Sequence, residues 1–153
     1  MSIKLPFPLW KAIASKVRLL ERSLHMDVRW AVELDKNTLL ILMLSSIYKV
    51  DLASKVVTQD YTGFTARPFS FAIINDYLYF GDYGGNPERG PVNIYRRNMN
   101  NGEWSVAYTF PANTVRHIHN IISSADRSTV YILTGDEDKE SGIWVTTDNF
   151  HSV

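Results

Sequence analysis

After Met26 the chain runs in short stretches of β-branched, aliphatic and aromatic residues, broken by Asp, Asn, Gly and Ser. That pattern predicts strands and tight turns. Before it, "PLWKAIASKVRLLERSLHM" places Trp10, Ile13, Val17, Leu20 and Leu24 at helical spacing, with basic residues between them. One apolar stripe of that period predicts an amphipathic helix within residues 1–26. Pro8 just inside its start suits a helix N-terminus.

The strand region repeats. Residues 28–51, 66–98 and 115–148 each give a strand opening with arginine, a short polar turn, an apolar strand, a connector and a strand bearing Ile-aromatic. The aromatic positions Tyr48, Tyr95 and Trp144 are spaced by 47 and 49 residues. A period of that size built from short strands marks a propeller or array. "KVVTQDY" and "EWSVAYTF" follow as fourth strands in the first two units and have no counterpart in the third. The expectation is all-β: a β-propeller segment of three four-stranded blades, over about 27–60, 66–110 and 115–153, the last incomplete. Three blades do not close a ring comfortably, and open strand edges invite association. A fragment of a larger ring, or pairing of two chains, is therefore expected, with marginal stability for the isolated chain.

Two stretches carry a family resemblance. "IYRRNMNNGEW", Ile94 to Trp104, and "IWVTTDNFHSV", Ile143 to Val153, resemble degenerate Asp-box (BNR) repeats, in which Ser/Thr-x-Asp-x-Gly-x-Thr-Trp forms a hairpin. The third unit keeps Thr146, Asp148 and Ser152 but has Phe150 for the glycine and Val153 for the tryptophan. The second keeps Trp104 but has Arg97 and Met99 for the first serine and the aspartate. Such repeats occur in sialidases and sialidase-like β-propellers. The resemblance implies that these turns are folding devices on the face opposite the binding site.

Composition narrows the classes. Hydrophobic residues make up 45% and aromatics 12% of the 153 residues, enough for a packed core and against disorder. Formal net charge is zero, so no global field recruits nucleic acid, and no nucleic-acid partner is expected. Basic residues do collect at the start, Lys4, Lys11, Lys16, Arg18 and Arg22 against Glu21 alone. There is no cysteine, which removes disulfides, thiolate metal sites and cysteine nucleophiles. No signal-peptide order or membrane-length apolar run is seen, so a soluble, cytoplasmic protein without membrane contact is expected.

In propellers the connections into each inner strand and those joining second to third strands gather on one face. The first kind delivers Arg29, Arg67 and Arg116; the second delivers "GDYGGNPERG", 81–90, and "GDEDKES", 135–141. Arginine's planar fork suits a carboxylate, sulfate or phosphate. The arginines therefore read either as anion-binding residues or as structural partners of acids such as Asp82 or Asp136. His117 and His119 share a face of a predicted strand. They read as packed, hydrogen-bonded histidines, as a general base, or as the start of a metal site whose third ligand the sequence does not identify. No metal or other cofactor is expected. Asp82, Tyr83, Glu88, Asp136, Glu137 and Asp138 include the residue types of glycoside cleavage, with Asp82 or Asp136 as acid and Tyr83 or Glu88 as its partner. The leading expectation is a module recognising an anionic carbohydrate or similar polyhydroxylated ligand, not catalytic as this chain. A protein-interaction scaffold is the alternative; a glycoside hydrolase, or a uronate lyase with His117 or His119 as base, follows.

Overall fold

The computed structural model describes residues 3, 16–17, 28–43, 46–62 and 68–153. Residues 1–63 and 64–153 form two compact units, described separately here. The predicted N-terminal helix and Arg67 lie outside the described residues, apart from Ile3, Lys16 and Val17 in the former.

The first unit holds one sheet of four strands, β1 (Trp30–Asp35), β2 (Thr38–Met43), β3 (Ser46–Asp51) and β4 (Val57–Tyr61), paired in sequence order and antiparallel. Burial follows sequence pattern. WAVELD alternates half-buried and exposed, as an edge strand should, whereas TLLILM is apolar after Thr38 and buried along most of its length. Aspartates make the turns: Asp35 accepts the Asn37 amide at 2.8 Å, and Asp51 accepts those of Ala53 and Ser54.

The second unit holds two sheets. One is β5 (Ala72–Ile74), β6 (Tyr77–Gly81), β7 (Val92–Asn98) and β8 (Trp104–Phe110); the other is β9 (Ile118–Ser123), β10 (Val130–Thr134) and β11 (Gly142–Thr146). Both are antiparallel meanders in sequence order. The described chain is thus all-β, with three antiparallel sheets of four, four and three strands, and the same strand order recurs in each. Tyr48, Tyr95 and Trp144 each occupy the third strand of their sheet, opposite Ile41, Phe80 and Ile132 respectively. A register shift falls beside the Ile-aromatic pair in both complete sheets, at Ile47/Tyr48 and Ile94/Tyr95.

The second and third sheets pack face to face. Tyr79, Val92, Ile94 and Phe110 meet Ile118, Ile121, Val130, Ile132 and Phe150 in one buried cluster. Full burial of each such side chain contributes roughly 1.5–3 kcal/mol. Gly81 is where the sheets come closest: a Cβ built there would lie 2.4 Å from Ile118 Cβ. The approach is sealed by main chain, since the Ile118 amide donates to the Asp82 carbonyl at 2.8 Å. The third sheet's other face is open, with Ile122, Tyr131, Ile143 and Val145 exposed.

Candidate functional site

The Gly81–Ile118 approach brings the exits of β6 and β10 beside the entry to β9. His117 immediately precedes β9 and His119 is its second residue. Alternation puts both imidazoles on one side, their ring centroids 4.8 Å apart. Opposite them stands Asp136, just beyond β10. Its Oδ2 lies 3.1 Å from His117 Nε2 and its Oδ1 3.2 Å from His119 Nε2. Asp136 reaches this position through a left-handed backbone, φ +94°, uncommon for a residue with a side chain.

His117 is buried, and its Nδ1 lies 2.8 Å from the Gly84 carbonyl oxygen. A carbonyl can only accept, so Nδ1 carries the proton and donates. Nε2 is then the ring's remaining nitrogen. It is buried, close to Asp136 and to His119, yet forms no hydrogen bond. The histidine nitrogens and the Asp136 carboxylate lie within 4.8 Å of one another, so this trio has the donor types and reach to hold a metal ion.

Rings wall the trio on one side. Tyr83 lies 4.5 Å from His117 and 5.4 Å from His119, and Phe69, largely exposed, lies 5.0 Å from Tyr83. The same loops carry a charged lattice. Arg116 donates from Nε to the Gly85 carbonyl at 2.8 Å and stands 3.7 Å from Glu137. Arg89 pairs with Glu137 at 2.8 Å and with Glu140. The Glu140 hydrogen bond first, and Glu137 after it, push the Arg89 guanidinium pKa further up. Asn86 ties the two loops by donating to the Arg116 carbonyl at 2.9 Å. The 135–141 loop is pinned from below: Trp144 Nε1 donates to Thr134 Oγ1, which donates to the Glu140 carbonyl.

Several expectations need correction. Arg116 pairs with Glu137 and a carbonyl, rather than with Asp82 or Asp136. Arg29 belongs to the other compact unit and Arg67 lies outside the described residues, so of the three arginines Arg116 is the one described within this unit. The Asp82 carboxylate accepts the Asn93 amide at 3.1 Å, bracing its own hairpin. Glu88 is exposed and has no ion pair among the described residues. The acid that stands against the two histidines, which the sequence reading did not identify as their partner, is Asp136. Arg89 and Asn86 were missed altogether; the Asn-Pro-Glu-Arg-Gly turn was their signal, since both take positive φ there.

The far ends of the strands carry the Asp148 and Asn98 turns. Asp148 accepts from Thr146 Oγ1 at 2.9 Å, the Ser152 amide at 3.0 Å and Ser152 Oγ at 2.6 Å. The Ser152 bonds, chiefly its hydroxyl, hold the carboxyl down at about 2. Phe150 sits where the repeat pattern has glycine and adopts the corresponding left-handed backbone, φ +68°. In the second sheet Asn98 organises the turn, one residue before Met99, accepting from the Asn100 and Asn101 amides. A shallow depression of about 380 Å³, lined by Tyr77, Arg96, Asn98, Glu103, Trp104 and Ser105, lies beside that turn.

No protein-family model and no curated protein sequence matches the chain. Among solved structures, it is similar to the extracellular domain of a one component system protein from B. thetaiotaomicron, with TM-score 0.50 and 21% identity over 71% of this chain and 14% of that one. That likeness concerns the fold alone. The N-terminal domain of Nup159 (TM-score 0.49, 11% identity, 79% of this chain and 31% of that one) is similar at a level too low to carry an argument. The same holds for a chain of a nidogen/laminin complex (0.47, 12%, 64% and 36%). The chain spans only 14 to 36% of the length of these three proteins. Among the described residues no helix is long and apolar enough to cross a membrane.

Proposed function

We propose that the chain is a propeller-like binding module whose ligand face is the end of the second and third sheets, and that the ligand is anionic and polyhydroxylated, an acidic carbohydrate in the first instance. The observation that carries this is a partly exposed Arg116 leading into the same strand as His117 and His119, whose imidazoles the Tyr83 ring flanks. The Arg116 side chain is 29% exposed and held by a carbonyl and a distant carboxylate, which leaves part of the guanidinium fork facing outward. Phe69 and Tyr83 supply an apolar platform against the histidines, and His119, partly exposed, adds a polar group. Apolar walls with a few placed polar groups are the usual make-up of a small-molecule site. The sialidase-like form of this reading draws support from the Asp148 turn, whose hydrogen bonds suit a repeat built with such hairpins.

Glycan-array binding followed by calorimetry on the hits tests the reading. Acidic glycans should bind and their neutral counterparts should not. Arg116→Ala should weaken binding about 10- to 100-fold, the worth of a charge-assisted hydrogen bond of about 1.5–3 kcal/mol. Equal binding of acidic and neutral glycans, or an unaffected Arg116→Ala protein, would refute it.

A second reading, a protein-interaction scaffold, is favoured by the open apolar face of Ile122, Tyr131, Ile143 and Val145. Faces of that kind mark interaction surfaces. Light scattering against concentration reads it: self-association abolished by Ile143→Lys supports docking through this face, and a monomer at all concentrations counts against self-docking.

A further inference from the structure

We propose that His117, His119 and Asp136 form a binding site for one divalent transition metal ion of the zinc class. This goes beyond the ligand-face reading, and it departs from the sequence-based expectation of no metal.

Three observations converge. The first is donor chemistry: two imidazole nitrogens and one carboxylate make a common three-ligand protein set for zinc, with a fourth position left open. The second is geometry. In a tetrahedral site with bonds of about 2.0–2.1 Å, neighbouring ligand atoms stand about 3.3 Å apart. Asp136 comes close to that edge with a different oxygen at each histidine, Oδ2 at 3.1 Å from His117 Nε2 and Oδ1 at 3.2 Å from His119 Nε2, so the carboxylate straddles the space between the two rings. The three donors lie within 4.8 Å of one another. Any shortfall between the two imidazoles can be met by His119, whose side chain is 31% exposed and has room to turn.

The third observation is the orphaned nitrogen. His117 is 5% exposed, and its Nδ1 proton is committed to the Gly84 carbonyl. In the neutral ring Nε2 therefore carries a lone pair, with Asp136 Oδ2 3.1 Å away and no hydrogen bond between them. A lone pair that close to a carboxylate oxygen is repelled by it, and a buried nitrogen without a hydrogen-bond partner destabilises the fold. A cation between them removes both penalties. A ligating histidine usually donates its other N–H to a carbonyl or carboxylate, which fixes the tautomer, and the Gly84 contact has that form. Tyr83, its ring 5.4 Å from that of His119, is the neighbouring side chain on the ring side of the site.

The test uses the full chain stripped with chelator and titrated with Zn2+ alone, then with Co2+ for its visible spectrum. One equivalent should bind, and the cobalt protein should give the intense absorption of a four-coordinate site. His119→Ala and Asp136→Asn should each weaken binding at least 10-fold. Asparagine tolerates a left-handed backbone better than most residues, so Asp136→Asn should keep the fold. A His25→Ala, His151→Ala protein controls for the remaining histidines and should bind normally. Urea denaturation of each metal-free variant checks folding independently. Absence of stoichiometric binding by a folded wild type would overturn the proposal. So would binding that survives both site substitutions and disappears from the control.

Discussion

Replacing Phe150 by glycine sets two effects of the third sheet's last turn against each other. Glycine is what the repeat pattern has at this position, and Phe150 occupies the left-handed φ of +68° that glycine would adopt freely. Relief of that backbone should return about 1–2 kcal/mol. Yet the ring is 3% exposed and packs on Tyr79 at 4.9 Å, joining the third sheet to the second. Deleting a buried phenylalanine costs about 3–5 kcal/mol, and glycine's freedom in the unfolded chain adds about 0.5–1 kcal/mol. Packing wins, and Phe150→Gly should destabilise residues 64–153 by about 3 kcal/mol. With a urea slope of about 1–3 kcal/mol/M, the midpoint should fall by about 1.5 M at unchanged slope. Phe150→Ala, which loses the ring and keeps the strain, should be no more stable than Phe150→Gly. A Phe150→Gly protein as stable as wild type would show that backbone strain, not inter-sheet packing, dominates this turn.

Two other outcomes are expected. Gly81→Ala should cost about 1–3 kcal/mol or more in a thermal melt, because its Cβ would collide with Ile118 and the neighbouring backbone must move; wild-type stability would mean the sheets are not held this closely. Asp126 and Asp148 are both held at about 2, Asp126 chiefly by the Ser124 hydroxyl and Asp148 chiefly by that of Ser152, against 3.8 for the free side chain. Carboxylates depressed in the folded state stabilise it above the unfolded value and lose that contribution as pH falls through the folded one. Melting temperature should therefore drop between about pH 4 and 2, less steeply in an Asp126→Asn, Asp148→Asn double variant; identical slopes would reject these two as contributors.

What could be read from sequence was whatever depends on local period. Tyr48, Tyr95 and Trp144 betray the repeat because every unit needs a large half-buried ring on its third strand. The pairing of His117 with His119 follows from strand alternation. Asp136 could not be read as their partner, since its position depends on the non-local docking of two sheets and on a backbone conformation that residue types rarely signal. Which acid Arg116 meets could not be read for a related reason. Repeat position predicts where a guanidinium starts, but the loop it meets decides where it ends, and Arg116 met the 84–86 backbone and Glu137. In the second turn the pattern placed the organiser at Met99, whereas the nearest side chain able to accept two amides is Asn98.

The inter-sheet bridge from Ile118 N to Asp82 O uses main chain only, and the loop above it offers carbonyls of Gly84 and Gly85 to His117 and Arg116. Side-chain identity at 87 and 88, both exposed, is irrelevant to that seat. A designer can therefore randomise Pro87 and Glu88 while the scaffold beneath keeps its register. Combinatorial libraries built there would change what the rim of the site meets and leave its floor intact, so that selection acts on specificity without first having to repair folding.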